Sequence, residues 1–102
     1  MENFEIDFEE LKTKNRDDYV IVDIRDGSAF EYGHIPGALN IPENEILERI
    51  KKFKVNKDIY IYCKSGVISL DIAKTLRENG INAFSLKGGY VAWLKAHLYD
   101  AG

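Results

Sequence analysis

The sequence has little of the residues that build disulfides, metal sites and basic surfaces. One cysteine and two histidines stand in 102 residues, so no internal disulfide can form and a metal site is a poor prediction. The net charge of −3, without a Lys/Arg cluster, argues against nucleic acid and anionic membranes as partners. No run approaches the roughly 18 apolar residues of a membrane span, and the start MENFEIDFEELKTK lacks a secretion signal. We expect one cytoplasmic domain over residues 1–102.

The apolar runs that are present predict strands. YVIVDI (19–24) and DIYIY (58–62) are continuous, as in strands buried on both faces, and NAFSL (82–86) predicts a further strand. The segment 27–42 holds both prolines and three of the eight glycines. This composition predicts mostly turns, around a short strand near Ala38–Ile41.

Helical patterns alternate with these strands. Their order and short links imply an α/β fold, with a mostly parallel sheet of four to five strands covered by helices on both faces. Two helices are predicted in the first half of the chain: DFEELKTK, with Asp7 and Glu10 spaced as a capping box, and residues 43–54, with Ile46, Leu47, Ile50 and Phe53 on one face. A third is predicted over residues 69–79, between Ser69 as N-cap and Gly80 as stop. The fourth is GGYVAWLKAHL, with Tyr90, Trp93, Leu94 and His97 on a packing face.

The single cysteine lies where this fold would place a ligand site. Cys63 directly follows the strand DIYIY, and ligands of open α/β sheets collect at the carboxyl ends of strands. The turn 64–69 leads into a helix, whose N–H groups and dipole can lower the pKa of a thiol by two units or more. A lone cysteine at a strand end is also a common small apolar side chain, so this order alone leaves both interpretations open.

Three motifs in sequence order resemble the rhodanese-like family of single-domain sulfurtransferases. CKSGVIS is similar to the family's six-residue active-site loop, which starts with the catalytic cysteine and has glycine in fourth place. VDIRDGSAFEYGHIPGALNIP is similar to its Asp-x-Arg segment followed by a Gly-His-Ile-Pro-Gly-Ala-x-Asn turn. LKGGYVAW resembles its Gly-Gly-x-x-Ala-Trp ending. The resemblance covers nearly the whole chain.

The resemblance implies covalent sulfur transfer. The Cys63 thiolate would take a sulfane sulfur from a small-molecule or protein donor, such as thiosulfate, polysulfide or a protein persulfide, and pass it to cyanide or a thiol. No metal or organic cofactor is implied. The substrate would be bound by the loop residues Lys64, Ser65, Gly66, Val67, Ile68 and Ser69.

Two pairs of residues outside the loop are candidates for a supporting network. Asp23 and Arg25 end a strand at the same edge, where a structural ion pair is favoured over substrate contact. Glu31 and His34 are candidates to complete this network, although a lone loop histidine is usually structural.

One loop position departs from a common family pattern. Many members carry arginine at the sixth position, where its fork can bind an oxyanion, but this chain has Ile68. The departure argues against thiosulfate as the natural donor. A non-catalytic binding module of the same fold stays open as an alternative. A cysteine phosphatase is disfavoured, because the residue six after Cys63 is Ser69 and the next arginine is Arg77.

Overall fold

A five-stranded sheet forms the centre of the computed structural model, which describes residues 3–53 and 56–98. All neighbouring strands are parallel, in the order β1–β5–β4–β2–β3. The predicted parallel α/β sheet is therefore confirmed. The strands are β1 (Glu5–Ile6), β2 (Tyr19–Asp23), β3 (Leu39–Asn40), β4 (Asp58–Tyr62) and β5 (Ala83–Leu86).

Within the described residues, five α-helices surround the sheet. None of the described helices is both long and apolar enough to cross a membrane. A 3₁₀ turn at Arg16–Asp18 precedes β2. Phe53 ends its helix, but its side chain and Lys54, the last residue of the predicted helix, lie outside the described part of the chain. The helices are α1 (Phe8–Leu11), α2 (Gly27–Tyr32), α3 (Ile46–Phe53), α4 (Val67–Glu78) and α5 (Gly89–Leu98).

Helix α2 and strand β1 are elements that the sequence did not predict. Helix α2 occupies the start of a segment predicted as turns, because the Asp26 carboxylate accepts the N–H of Ala29 and caps a helix of only one and a half turns. Strand β1 was not predicted, since two residues show no periodicity. Backbone hydrogen bonds define it, among them one from the N–H of Lys87 to the carbonyl of Ile6 at 2.9 Å.

Side chains of successive residues in β4 alternate between two cores, as the pleat of a strand requires. On one face, Ile59, Ile61 and Cys63 pack with buried residues of α3 and α4. On the other face, Tyr60 and Tyr62 pack with α1 and α5. The sheet is thus covered on both sides, which explains why its strands read as continuous apolar runs.

The register of the sheet brings two connections to one edge. Asp23, the last residue of β2, pairs with Tyr62, the last residue of β4. The chain continues this pairing beyond the strands, since the N–H of Ile24 donates to the carbonyl of Tyr62 at 3.0 Å. The segments that follow β2 and β4 therefore lie side by side.

Candidate functional site

The Cys63 loop makes a sharp turn between β4 and α4. Gly66 adopts the left-handed conformation, with φ of 89°, and a Cβ there would lie 2.9 Å from the backbone nitrogen of Gly88. Both facts favour glycine at this position. Because the turn is completed at Gly66, helix α4 starts at Val67, and the prediction that Ser69 is its N-cap is wrong.

The turn directs hydrogen-bonding groups at the sulfur of Cys63. The N–H of Gly66 donates to Sγ at 3.2 Å and the N–H of Ser69 donates to it at 3.4 Å, while the protonated thiol donates to the hydroxyl oxygen of Ser69, also 3.4 Å away. We call these three groups the sulfur cradle. Burial alone raises the pKa of the Cys63 thiol, but the hydrogen bonds from Ser69 and from the loop N–H groups outweigh it and lower the pKa from its ordinary value. The arrangement favours a thiolate.

The first turn of α5 holds the outer side of the loop. The N–H of Tyr90 donates to the Cys63 carbonyl at 2.9 Å, and the N–H of Val91 donates to the Lys64 carbonyl at 3.0 Å. This approach requires glycine at position 89, because a Cβ there would collide with the Cys63 carbonyl oxygen and lie 2.8 Å from the Gly66 nitrogen. With its carbonyl groups held outside, the loop turns its N–H groups inward to the sulfur.

The ion pair expected between Asp23 and Arg25 is present. Asp23 is fully buried, and its Oδ2 lies 2.6 Å from Nη2 of Arg25. The same Nη2 donates to the carbonyl of Gly33 at 2.7 Å, and the guanidinium lies 4.3 Å from the ring centre of Tyr90. Hydrogen bonds to Asp23 raise the pKa of Arg25. These contacts tie β2 to the turn before β3 and to α5.

The structure does not join the other two network candidates to this ion pair. Glu31 is exposed, and within residues 3–53 and 56–98 it forms no ion pair or side-chain hydrogen bond. Nδ1 of His34 lies 2.7 Å from the carbonyl oxygen of Phe30, and the two rings stack with their centres 3.8 Å apart. Within the described residues neither side chain contacts the ion pair directly, because Glu31 is an exposed residue of α2 and His34 is hydrogen-bonded to the carbonyl of Phe30 in the same helix.

Cys63 opens onto a cleft of about 360 Å³ at the carboxyl edge of the sheet. Ile68 contributes an apolar wall and is 50% exposed, while the neighbouring Val67 is 68% exposed. Lys64 stands on the lip with an exposed side chain, as does Ser65 beside it. The side chains that line the cleft include both cations and carboxylates. We call this cavity the Cys63 cleft, and its lining residues are Ile24, Arg25, Asp26, Pro42, Glu43, Asn44, Cys63, Lys64 and Ile68.

Two predicted aromatic positions belong to a different cavity. Trp93 and His97 stack at 4.3 Å and line a cleft of about 330 Å³ beside α1 and the 3₁₀ turn. Tyr90 stacks on Trp93 and packs in the tyrosine-rich core. Tyr90, Trp93 and His97 therefore pack as predicted, whereas Leu94 is 40% exposed. Among the described residues, no three His, Cys, Asp or Glu side chains converge as a metal site would require.

The sequence-based reasoning missed Ser85 on β5. Its hydroxyl oxygen lies 2.7 Å from that of Ser69, and both serines have no exposed surface. A signal was available: Ser69, Ala73 and Leu76 follow the apolar spacing of one helix face, so a serine on that stripe needs a buried polar partner. The charged cleft residues Asp26 and Glu43 were missed as well, since they precede helices without any local motif.

Comparison with known proteins identifies the fold and the family. The family profile described as a rhodanese-like domain matches residues 7–96. The crystal structure of a rhodanese-like domain protein from Staphylococcus aureus superposes with a TM-score of 0.76 at 36% identity, covering 87% of this chain and 89% of that one. The match extends over both connections that form the Cys63 cleft.

Two curated relatives are similar in sequence. The protein YqhL of Bacillus subtilis is 40% identical over 74 residues, which are 72% of this chain and 59% of YqhL. The thiosulfate sulfurtransferase GlpE of Shewanella oneidensis is 37% identical over 78 residues, which are 76% of this chain and 77% of GlpE. The chain thus spans less than two thirds of YqhL but most of GlpE.

Proposed function

Since the chain belongs to the rhodanese-like domain family, we propose that it is a sulfurtransferase that acts through Cys63. The observation that carries the proposal is the sulfur cradle: a buried sulfur lies within hydrogen-bond distance of two N–H groups and one hydroxyl and still opens onto a cleft. Such donors stabilise an anion on sulfur. The similarity to GlpE, a thiosulfate sulfurtransferase, supports the same activity.

The proposed reaction has two displacement steps. The Cys63 thiolate attacks the sulfane sulfur of the donor, a new S–S bond forms, and the bond from that sulfur to the rest of the donor breaks as the leaving group departs with the electron pair. The acceptor, cyanide or a thiolate, then attacks the outer sulfur of the persulfide. Cys63 leaves as thiolate, which the sulfur cradle stabilises, so both steps are redox-balanced without a further reagent.

The lining of the Cys63 cleft favours a donor with little charge. Arg25 is already paired with buried Asp23, so Lys64 is the lining cation that has no such partner within the described residues. The negative charges of Asp26 and Glu43 counteract the positive charge of Lys64. Ile68 has an apolar side chain at the position where the guanidinium of an arginine would donate hydrogen bonds to an oxyanion. Dianionic thiosulfate is therefore a poorer substrate than an uncharged organic polysulfide or a protein persulfide in this proposal.

Mass spectrometry of the intact protein tests the proposed activity. The protein is exposed to polysulfide or thiosulfate, and its mass is measured before and after treatment with cyanide. We expect one added sulfur that cyanide removes, with more complete loading from polysulfide. A protein that stays unloaded with every donor would instead be the non-catalytic module. Cys63-dependent turnover of an aryl phosphate would point to phosphoryl transfer, which we expect to be absent.

A further inference from the structure

A chain of two buried hydroxyl groups lies behind the nucleophile. Sγ of Cys63 is 3.4 Å from Oγ of Ser69, and Oγ of Ser69 is 2.7 Å from Oγ of Ser85. Both serines have zero exposure, so bulk water does not reach these oxygens. Ser85 belongs to a different strand, β5, and reaches the nucleophile only through Ser69.

The sheet geometry explains why Ser85 points there. In β5, Ser85 pairs with Ile61, which lies two residues before Cys63 on the adjacent strand. Because side chains alternate along a strand, Ser85, Ile61 and Cys63 share the face covered by α4. Residues at such positions are normally apolar, as Ala83 is two residues earlier on β5. A serine at this position therefore adds a second hydroxyl, beside that of Ser69, to a mostly apolar layer.

The number of protons on the three groups determines which one donates in each hydrogen bond between Cys63, Ser69 and Ser85. A thiolate or a persulfide has no proton on Sγ, so only the Ser69 hydroxyl can donate in their contact. Once Ser69 has given its single proton to sulfur, its oxygen can only accept, and Ser85 must be the donor. A protonated thiol permits the reverse direction, from Cys63 to Ser69 to Ser85. The direction of the chain is thus coupled to the charge on the sulfur.

We propose that Ser85 is a positioning residue for the nucleophile: its hydroxyl orients the Ser69 hydroxyl to donate to the Cys63 sulfur. A donor that itself accepts a hydrogen bond is polarised and donates more strongly, so Ser85 stabilises the anionic sulfur without touching it. Its importance for turnover rests on the proposed function. Its effect on the thiolate does not, and can be measured without any sulfur donor.

The test is the pH dependence of Cys63 alkylation by iodoacetamide. We expect Ser69→Ala to move the midpoint up by about one pH unit, because hydrogen bonds to charged groups are the stronger class. Ser85→Ala should move it up by about 0.3–0.6 pH units, a two- to fourfold loss of thiolate well below the midpoint. In the Ser69→Ala background, Ser85→Ala should add nothing, since the hydroxyl that it orients is gone.

A near-isosteric pair separates orientation from packing. Ser85→Thr keeps the hydroxyl and Ser85→Val replaces it with a methyl group of similar size, so both carry the same extra volume. We expect the threonine variant to keep the wild-type midpoint and the valine variant to behave like Ser85→Ala. Thermal unfolding monitors the fold of each variant. If the larger side chains do not fold, the alanine series decides, because alanine only removes an atom.

Two results would overturn the inference. One is an unchanged midpoint in Ser85→Ala, and the other is an equal shift by Ser85→Ala with and without the Ser69 hydroxyl, which would indicate a general effect of core polarity. Failure of the proposed function is a separate result. A protein that never loads sulfur but shows the predicted midpoints refutes sulfur transfer alone, whereas loading with unchanged midpoints refutes the role of Ser85 alone.

Discussion

Two strand-to-helix connections lie side by side at one edge of the sheet, and they direct their hydrogen-bond donors to different acceptors. After β2, the Asp26 carboxylate accepts the N–H of Ala29 and the hydroxyl of Ser28, each at 2.8 Å. After β4, the corresponding donors of the Cys63 loop and α4 converge on the sulfur of Cys63. The same topology therefore delivers its helix N-terminal donors to a carboxylate in one case and to a thiol in the other.

The identity of the acceptor decides what the donors achieve. Hydrogen bonds from Ala29 and Ser28 lower the pKa of Asp26, but a carboxylate is ionised at neutral pH without their help. A thiol at its unperturbed pKa near 8.5 is only about 3% ionised at pH 7, so the same effect on Cys63 increases the fraction of thiolate. In the proposed function, an interaction that is structural after β2 therefore serves to activate the thiol after β4.

The largest effect is expected from Cys63→Ser, which makes the second connection resemble the first. A hydroxyl can accept the same N–H groups, but it is not ionised at neutral pH and forms no S–S bond. Sulfur loading measured by intact mass should therefore disappear, while the melting temperature changes by only a few degrees. Loading that survives in this variant would place the reactive group elsewhere.

The next largest effect is expected from Ile68→Arg, which adds a cation to the cleft wall. Hydrogen bonds to charged groups are worth about 1.5–3 kcal/mol, so kcat/KM for thiosulfate should rise about ten- to a hundredfold if the contact forms in the transition state. An uncharged donor, such as an organic polysulfide, should gain little, and Ile68→Met, a long apolar control, should change the activity with neither donor much. Equal gains for both donors would show that this position does not select the donor.

The sequence predicts the reactive connection better than the structural one. Cys63, the left-handed Gly66 and the Gly88–Gly89 turn are visible as motifs, because each backbone constraint leaves a characteristic residue. Helix α2 leaves a weaker trace, since its six residues begin with a glycine, are followed by another and have a single capping residue. The many glycines and prolines of this segment predict turns. The helix becomes evident only from the hydrogen bond between the N–H of Ala29 and the carboxylate of Asp26.

Contacts between distant segments could not be predicted. Ser69 and Ser85 are 16 residues apart and meet because β4 and β5 pair in a particular register under α4. Ser69 also illustrates how a local preference misleads, because serine favours N-caps and yet lies inside α4 and faces inward. Likewise, the approach of Glu43 and Asp26 to the Cys63 cleft follows from strand order and not from spacing.

A smaller effect, about a tenfold change in the acid dissociation constant, is expected for the Cys63 thiol of the wild type. The alkylation midpoint of wild-type Cys63 should lie at least about one pH unit below that of an unperturbed thiol, because the sulfur cradle lowers its pKa. The urea-denatured protein provides the reference in the same chain, and it should show the ordinary midpoint. A native midpoint at or above the denatured one would contradict the role assigned to the sulfur cradle.

The same shift predicts how stability depends on pH. The folded state lowers the pKa of Cys63, so the extra stability is fully present above the unfolded pKa and is lost as pH falls through the folded pKa. Between these two values, the free energy of unfolding of the wild type should rise with pH relative to Cys63→Ser. Parallel stability curves for the two proteins would contradict this linkage.

The smallest effect is expected at the structural connection, from Asp26→Asn. The hydrogen bonds from Ala29 and Ser28 lower the pKa of Asp26 from 3.8, so its capping contribution is present above that value and is lost as pH falls through the lower, folded pKa. Asparagine caps helices about as well as aspartate but does not titrate. From about pH 5 to about pH 2.5, the urea midpoint should therefore fall further for the wild type than for Asp26→Asn.

Asp26→Ala lacks the cap at every pH, so it should be less stable than the wild type at neutral pH and approach it in acid. Because Asp26 is exposed, the difference is small, and curves that stay parallel for all three proteins would show that the carboxylate does not stabilise α2.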